Sequence, residues 1–138
     1  CFVGYADAAM NDEAFTADGW FRTGDLGTLD ARGYLRITGR LKEIVVRKAE
    51  KISARELEEV LARHPAIAEV AVVPVPDRVT GERACAVVVL RPGQALTLAE
   101  LGAFLDACGL ARPKHPEELV ALAALPRTES GKIAKSEI

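Results

Sequence analysis

Two rhythms of apolar residues run along this 138-residue chain, and each predicts a different kind of element. Between residues 67 and 75, and again between 84 and 90, valine and alanine follow one another almost without a polar break. Runs of that length, rich in β-branched residues and bounded by turn formers, predict buried strands. The segment Pro76-Asp77-Arg78-Val79-Thr80-Gly81-Glu82 between them has the length of a hairpin connection. Residues 20–28 and 33–38 predict two shorter strands around Asp30-Ala31-Arg32-Gly33, where the glycine permits a positive φ. The β-branched stretch 43–47 predicts a further extended segment.

The second rhythm is helical. Ser53 precedes Glu56 by three residues, a capping box, and Leu57, Val60 and Leu61 follow as a stripe that stops at His64-Pro65. Thr97 and Glu100 repeat the capping box before a stripe of Leu98, Leu101 and Leu105, with Gly109 as the stop signal. Residues 117–125 fit neither period, but Pro116 and Pro126 confine them to a short element. Strands and helices in this arrangement predict a small α+β domain.

Composition narrows the class without naming it. The chain has 49% hydrophobic and 28% charged residues and a net charge of −2, which is ordinary for a soluble globular domain and gives no general attraction to nucleic acid. No apolar run approaches the length of a membrane span. Cys1, Cys85 and Cys108 lack metal-ligand spacing, which points to reduced thiols and a cytoplasmic setting. Cys85 falls in a strand pattern and Cys108 in a helix pattern, so both are expected to act as small core hydrophobes.

Candidate chemistry concentrates in three segments. Pro126-Arg127-Thr128-Glu129-Ser130-Gly131-Lys132-Ile133 delivers a lysine on a glycine-hinged loop, a compact cation suited to an anionic oxygen. The loop lacks the first glycine of a phosphate-binding P-loop and has no room for the following helix. Upstream lie Gly19-Trp20-Phe21-Arg22-Thr23-Gly24-Asp25-Leu26-Gly27, and then Gly39-Arg40-Leu41-Lys42-Glu43-Ile44 with Lys51-Ile52-Ser53 and Glu56-Leu57-Glu58. The cations Arg36, Arg40, Lys42, Arg47, Lys48, Lys51 and Arg55 crowd the middle segment. Such a run is usually a solvated face, and nothing resembling a base-reading recognition helix accompanies it. Lys135, three residues beyond Lys132, reads as a solvated side chain.

In order and spacing, these segments resemble the last three core motifs of the adenylate-forming enzymes: acyl-CoA synthetases, peptide-synthetase adenylation domains and luciferases. The resemblance covers nearly the whole chain. It implies a tail of the large N-terminal domain over residues 1–41, ending in a β-hairpin, and a mobile C-terminal domain over residues 42–138. It also makes residues 117–125 a strand, so that the C-terminal domain is a three-stranded sheet flanked by helices plus a hairpin. Family members are several times longer, so the phosphate loop, adenine pocket and acyl pocket are expected outside this chain, together with most of the binding site for Mg2+.

The resemblance also implies roles. Lys132 would bridge the substrate carboxylate and the oxygens of ATP during adenylation, where negative charge accumulates. Asp25 would accept hydrogen bonds from the ribose of ATP or AMP, beside Thr23. Arg40 would meet the ribose at the domain junction, and Lys51 would reach a nucleotide phosphate. Lys42 occupies the hinge position, where some relatives carry aspartate. Lys48, Ala49 and Glu50 would line the tunnel for the pantetheine arm of coenzyme A, with Ala49 replacing the usual glycine. The implied activity is an ATP-dependent acid:CoA ligase acting on a carboxylic acid through an acyl-adenylate. The alternatives are a peptide-synthetase adenylation domain that loads a carrier protein, and an interaction module in which Lys132 is the target of a GNAT-type lysine acetyltransferase, a modification that removes its charge.

Overall fold

A computed structural model describes residues 3–138; Cys1 lies outside the described residues. The chain divides into two compact units, residues 1–42 and 43–138.

The first unit opens with a helix, α1 (Ala8–Ala14), that no apolar stripe predicted, because it buries none of its residues. Asp7 starts it by accepting a hydrogen bond from the Ala9 N–H. Strands β1 (Asp25–Leu29) and β2 (Leu35–Arg40) pair antiparallel around the predicted turn, where the Asp30 carboxylate accepts from the N–H groups of Arg32 and Tyr34. The expected strand over 20–28 is shorter than its pattern: Trp20 to Gly24 stay outside the ladder, and only Phe21 forms an isolated bridge, to Phe15. A positive φ of 73° at Gly24 breaks the strand immediately before Asp25.

In the second unit, β5 (Ile67–Asp77) and β6 (Gly81–Leu90) form a long hairpin, and β7 (Glu118–Ala121) adds in parallel along the other edge of β6. These are the three expected strands. A second hairpin, β3 (Ile44–Arg47) and β4 (Glu50–Ser53), meets this sheet at a single ladder pair, Arg47 with Gly81. Helices α2 (Ala54–Leu61) and α3 (Leu98–Ala107) complete the unit.

The uninterrupted apolar run of β6 has a direct cause: both faces of this sheet are covered. On one face Val72, Ala84, Ala86 and Val88 pack with Leu57 and Leu61 of α2, Leu101 and Leu105 of α3, and Val45 and Ile52 of the β3–β4 hairpin. On the other, Ala71, Val73, Cys85 and Val87 pack against Leu125, with Ile133 alongside. The second cluster fixes the segment that carries Lys132 onto the sheet.

Several expectations are corrected. The Thr97 and Glu100 capping box forms in full, but Ser53 caps α2 from one side only, because the Glu56 carboxylate turns to Lys114, 2.8 Å from both of its oxygens. Leu98 lies on the exposed first turn of α3. Cys85 is a core residue, whereas Cys108 caps the C-terminal end of α3 and is exposed. Burial pushes the Cys85 thiol above its ordinary pKa, with the Glu118 carboxylate acting in the same sense.

Candidate active site

The first unit gathers three of the sequence-predicted residues. The Thr23 hydroxyl accepts the Asp25 N–H at 3.0 Å, and the Gly24 carbonyl accepts the Leu41 N–H at 2.7 Å, so the strand start is held on both sides. Asp25 and Arg40 face each other in the β1–β2 register, and Arg40 Nε donates to Asp25 Oδ1 at 2.9 Å. Asp25 is the more sheltered partner, 27% exposed against 64% for Arg40. This carboxylate therefore has one oxygen oriented by a cation and a second with no protein donor among the described residues. That is an acceptor set able to take a hydroxyl of a sugar. Lys42 follows in a single 3-10 turn, Leu41–Glu43, with its side chain exposed.

The second unit builds the lysine loop. Arg127 and Ile133 bridge across its base, Thr128 donates its N–H to the Lys132 carbonyl at 2.8 Å, and Gly131 donates to the Thr128 carbonyl at 2.8 Å. Gly131 takes a φ of 81°, which an L-residue with a side chain adopts only with strain, so glycine is favoured there. The Arg127 guanidinium spans from the Gly131 carbonyl, at 2.8 Å, to the Glu69 carboxylate on β5, at 2.6 Å. Lys132 itself is exposed, and its ammonium pairs with no carboxylate among the described residues. A cation presented on a braced loop and left uncommitted can meet an external anion without first breaking an internal bond.

The third group sits at the β3–β4 turn. Because Arg47 pairs with Glu50, Lys48 and Ala49 make a two-residue hairpin loop, and Lys48 holds a φ of 55°, the left-handed region that favours glycine. Its N–H donates to the Thr80 carbonyl at 2.7 Å, so the β5–β6 hairpin loop supports the turn. That loop is stiffened in turn by Asp77, whose Oδ1 accepts from the N–H groups of Val79 and Thr80 and from the Thr80 hydroxyl. The Thr80 hydroxyl bond first, and then the two backbone bonds, hold the Asp77 carboxyl below its ordinary pKa. Lys48, Ala49 and Glu50 line an open cleft of about 540 Å³ with Arg47, Thr80, Arg112 and Pro113. Lys51 lies on β4 opposite Val46, exposed and outside the lining.

Two further features carry no local sequence signal. Arg47 and Arg112 line the cleft but look in sequence like ordinary surface charges; Arg47 is held by the Pro113 carbonyl and by Glu117, each at 2.8 Å. Lys135, expected to be solvated, is instead drawn between two carboxylates, Glu43 at 3.1 Å and Glu58 at 2.8 Å, and is only 23% exposed. Among the described residues no three His, Cys, Asp or Glu side chains gather as a metal site. No helix among them is long and apolar enough to cross a membrane.

The fold is thus a small α+β domain whose chemistry lies in its loops and turns, placed there by a covered sheet. Residues 56–132 match the AMP-binding enzyme C-terminal domain, and the chain belongs to that family. It is 46% identical over 136 residues to the medium-chain fatty-acid–CoA ligase of Escherichia coli (strain K12), a match covering 97% of this chain and 24% of that protein. It is equally 46% identical, over 134 residues, to the salicyl-AMP ligase / salicyl-S-ArCP synthetase of Mycobacterium tuberculosis, covering 97% of this chain and 24% of the relative. The solved structure of ATP-bound MatB from Rhodopseudomonas palustris matches with a TM-score of 0.89 at 35% identity, covering 99% of this chain and 27% of that one. The chain therefore spans about a quarter of the length of the relatives it matches.

Proposed function

We propose that this chain is the C-terminal portion of a cytoplasmic, ATP-dependent acid:CoA ligase, which joins a carboxylic acid to AMP with release of pyrophosphate and then passes the acyl group to coenzyme A. Residues 1–41 end the large N-terminal domain, and residues 42–138 form the domain that turns about Lys42 between the two half-reactions. The observation that carries the reading is the uncommitted Lys132 ammonium on its braced glycine loop, in a chain that belongs to the AMP-binding enzyme C-terminal family.

Each residue group has a distinct task. Lys132 contacts the substrate carboxylate and nucleotide oxygens, where a fixed cation offsets the charge that develops in adenylation. Asp25, oriented by Arg40, accepts from the ribose hydroxyls, Thr23 holds the strand start beside it, and Lys51 reaches a phosphate. Lys48, Ala49 and Glu50 face the pantetheine arm of coenzyme A. Mg2+ belongs to the nucleotide site of the larger protein.

Delivery to a carrier protein is the second reading, favoured by the equal identity to a relative named for that product. Modification of Lys132 by a GNAT-type acetyltransferase would abolish its charge and switch off adenylation in either case. The test is Lys132→Ala in the full-length protein. Pyrophosphate release should fall by about 10²-fold or more, in line with loss of a preorganised charge-stabilising group, while thioester formation from supplied acyl-AMP persists. Equal loss of both half-reactions would make Lys132 structural. Coenzyme A and a phosphopantetheinylated carrier protein, offered as alternative acceptors, separate the two readings.

A further inference from the structure

Lys135 is withdrawn from solvent where Lys132 is not, although only two residues separate them. Its Nζ lies between Glu43 Oε2 and Glu58 Oε1. Neither carboxylate is a loose surface group: Glu58 Oε1 also accepts the Val72 N–H of β5 at 2.7 Å, and Glu43 immediately precedes β3. The segment in between is fixed as well, because Ala134 is buried and donates its N–H to the Pro126 carbonyl at 2.8 Å. The downstream end of the lysine loop is therefore tied by one cation to α2, through α2 to the sheet, and to the residue next to Lys42.

We propose that Lys135 is a positioning residue for Lys132: its double ion pair fixes the downstream end of the loop to Glu43 and Glu58, so the loop and the hinge end of the domain move as one body. This rests on the reading of Lys132 as the adenylation lysine. Without the Lys135 ammonium, Glu43 and Glu58 lose their shared counter-charge and face each other as like charges, which pushes the start of β3 away from α2. The loop keeps its upstream tie through Arg127 and Glu69 and the Ala134 bond to the Pro126 carbonyl, but loses its one ion-paired tie downstream. Reacting groups displaced by an ångström lose on the order of 10²-fold in rate, so losing one of the loop's two ion-paired ties is expected to cost about 10-fold.

The experiment compares Lys135→Met, Lys135→Arg, Glu43→Gln and Lys132→Ala in the full-length protein, with pyrophosphate release, thioester formation from supplied acyl-AMP, and Tm measured for each. Lys135→Met should lower kcat for pyrophosphate release about 10-fold with KM for acid and ATP nearly unchanged, and it should spare the thioester step. Lys135→Arg, whose fork can reach both carboxylates, should restore most of the loss. Glu43→Gln leaves Glu58 as a partner and should give a smaller loss of the same kind. Full pyrophosphate release by Lys135→Met beside an inactive Lys132→Ala overturns this proposal and leaves the function standing. Parallel loss of both half-reactions with a fall in Tm, unrescued by arginine, also overturns it, because Lys135 then only holds the fold. Full adenylation by Lys132→Ala removes the functional reading and this inference with it.

Discussion

Replacing Lys48 with glycine should stabilise the domain, against the usual direction of a lysine-to-glycine change in a strand-rich unit. Among the described residues Lys48 is the one non-glycine residue with a positive φ, 55°. An L-residue in the left-handed region costs roughly 1–2 kcal/mol relative to the right-handed one. Glycine removes that strain but brings a greater entropy loss on folding, about 0.5–1 kcal/mol. The midpoints of the two ranges differ by about 0.75 kcal/mol in favour of glycine. The truncation removes little else, because the Lys48 side chain is exposed and has no ion pair among the described residues, and the bond to the Thr80 carbonyl comes from the backbone. For a unit of this size the gain corresponds to a rise in Tm of about 3–6 °C. Thermal and urea unfolding of the chain, followed by circular dichroism, measure it against two controls. Lys48→Ala keeps the backbone strain and removes only the side chain, so its Tm should not move. Lys48→Val puts a β-branched residue in the left-handed region and should lower Tm. A Lys48→Gly variant no more stable than Lys48→Ala would refute the reasoning.

Three other outcomes are expected. Ala49→Leu in the full-length protein should abolish acyl-CoA formation while pyrophosphate exchange continues, since a bulkier side chain at the two-residue turn narrows the approach of the pantetheine thiol; retained thioester yield would remove Ala49 from that path. Lys42→Pro should stop the second half-reaction and spare the first, because proline holds φ near about −65°; normal turnover with coenzyme A would put the pivot elsewhere. The Asp77 carboxyl has its folded-state pKa below the ordinary 3.8, so its stabilisation is present above that ordinary value and is lost as pH falls through the lower folded value. Asp77→Asn should therefore flatten the acid side of the Tm-against-pH curve below about pH 4, and an unchanged acid limb would show that Asp77 is not responsible for it.

What the sequence disclosed was what local physics encodes. Thr97 and Glu100 signal a helix start through bonds that span three residues, and the capping box forms as read. The apolar run at 84–88 reveals a strand covered on both faces, since nothing polar could face solvent from it. Hidden features depend on partners distant in the chain. Lys135 reads as a surface lysine until the fold brings in Glu43, which is 92 residues away. Glu56 reads as half of a capping box until Lys114 claims its carboxylate. Cys108 obeys the apolar period of α3, but the helix ends there and leaves it outside the core. The candidate residues show the same division: Lys132 in one unit and Asp25 and Arg40 in the other are visible in motifs, whereas the cleft lining by Arg47 and Arg112 arises from tertiary packing alone.

The single ladder pair between Arg47 and Gly81 makes the β3–β4 hairpin an appendage plugged into the domain by side chains more than stitched to it by backbone. Val45 and Ile52, both fully buried, are the plugs. The amides paired only between β3 and β4 can thus open to solvent in a local fluctuation that leaves the β5–β6 ladder intact, and they should exchange hydrogen faster than those of β6. The same independence makes the turn a place where chemistry can be rewritten cheaply. A different two-residue loop between Arg47 and Glu50 changes the lining of the cleft without disturbing the two plugs, so the core sequence can stay as it is.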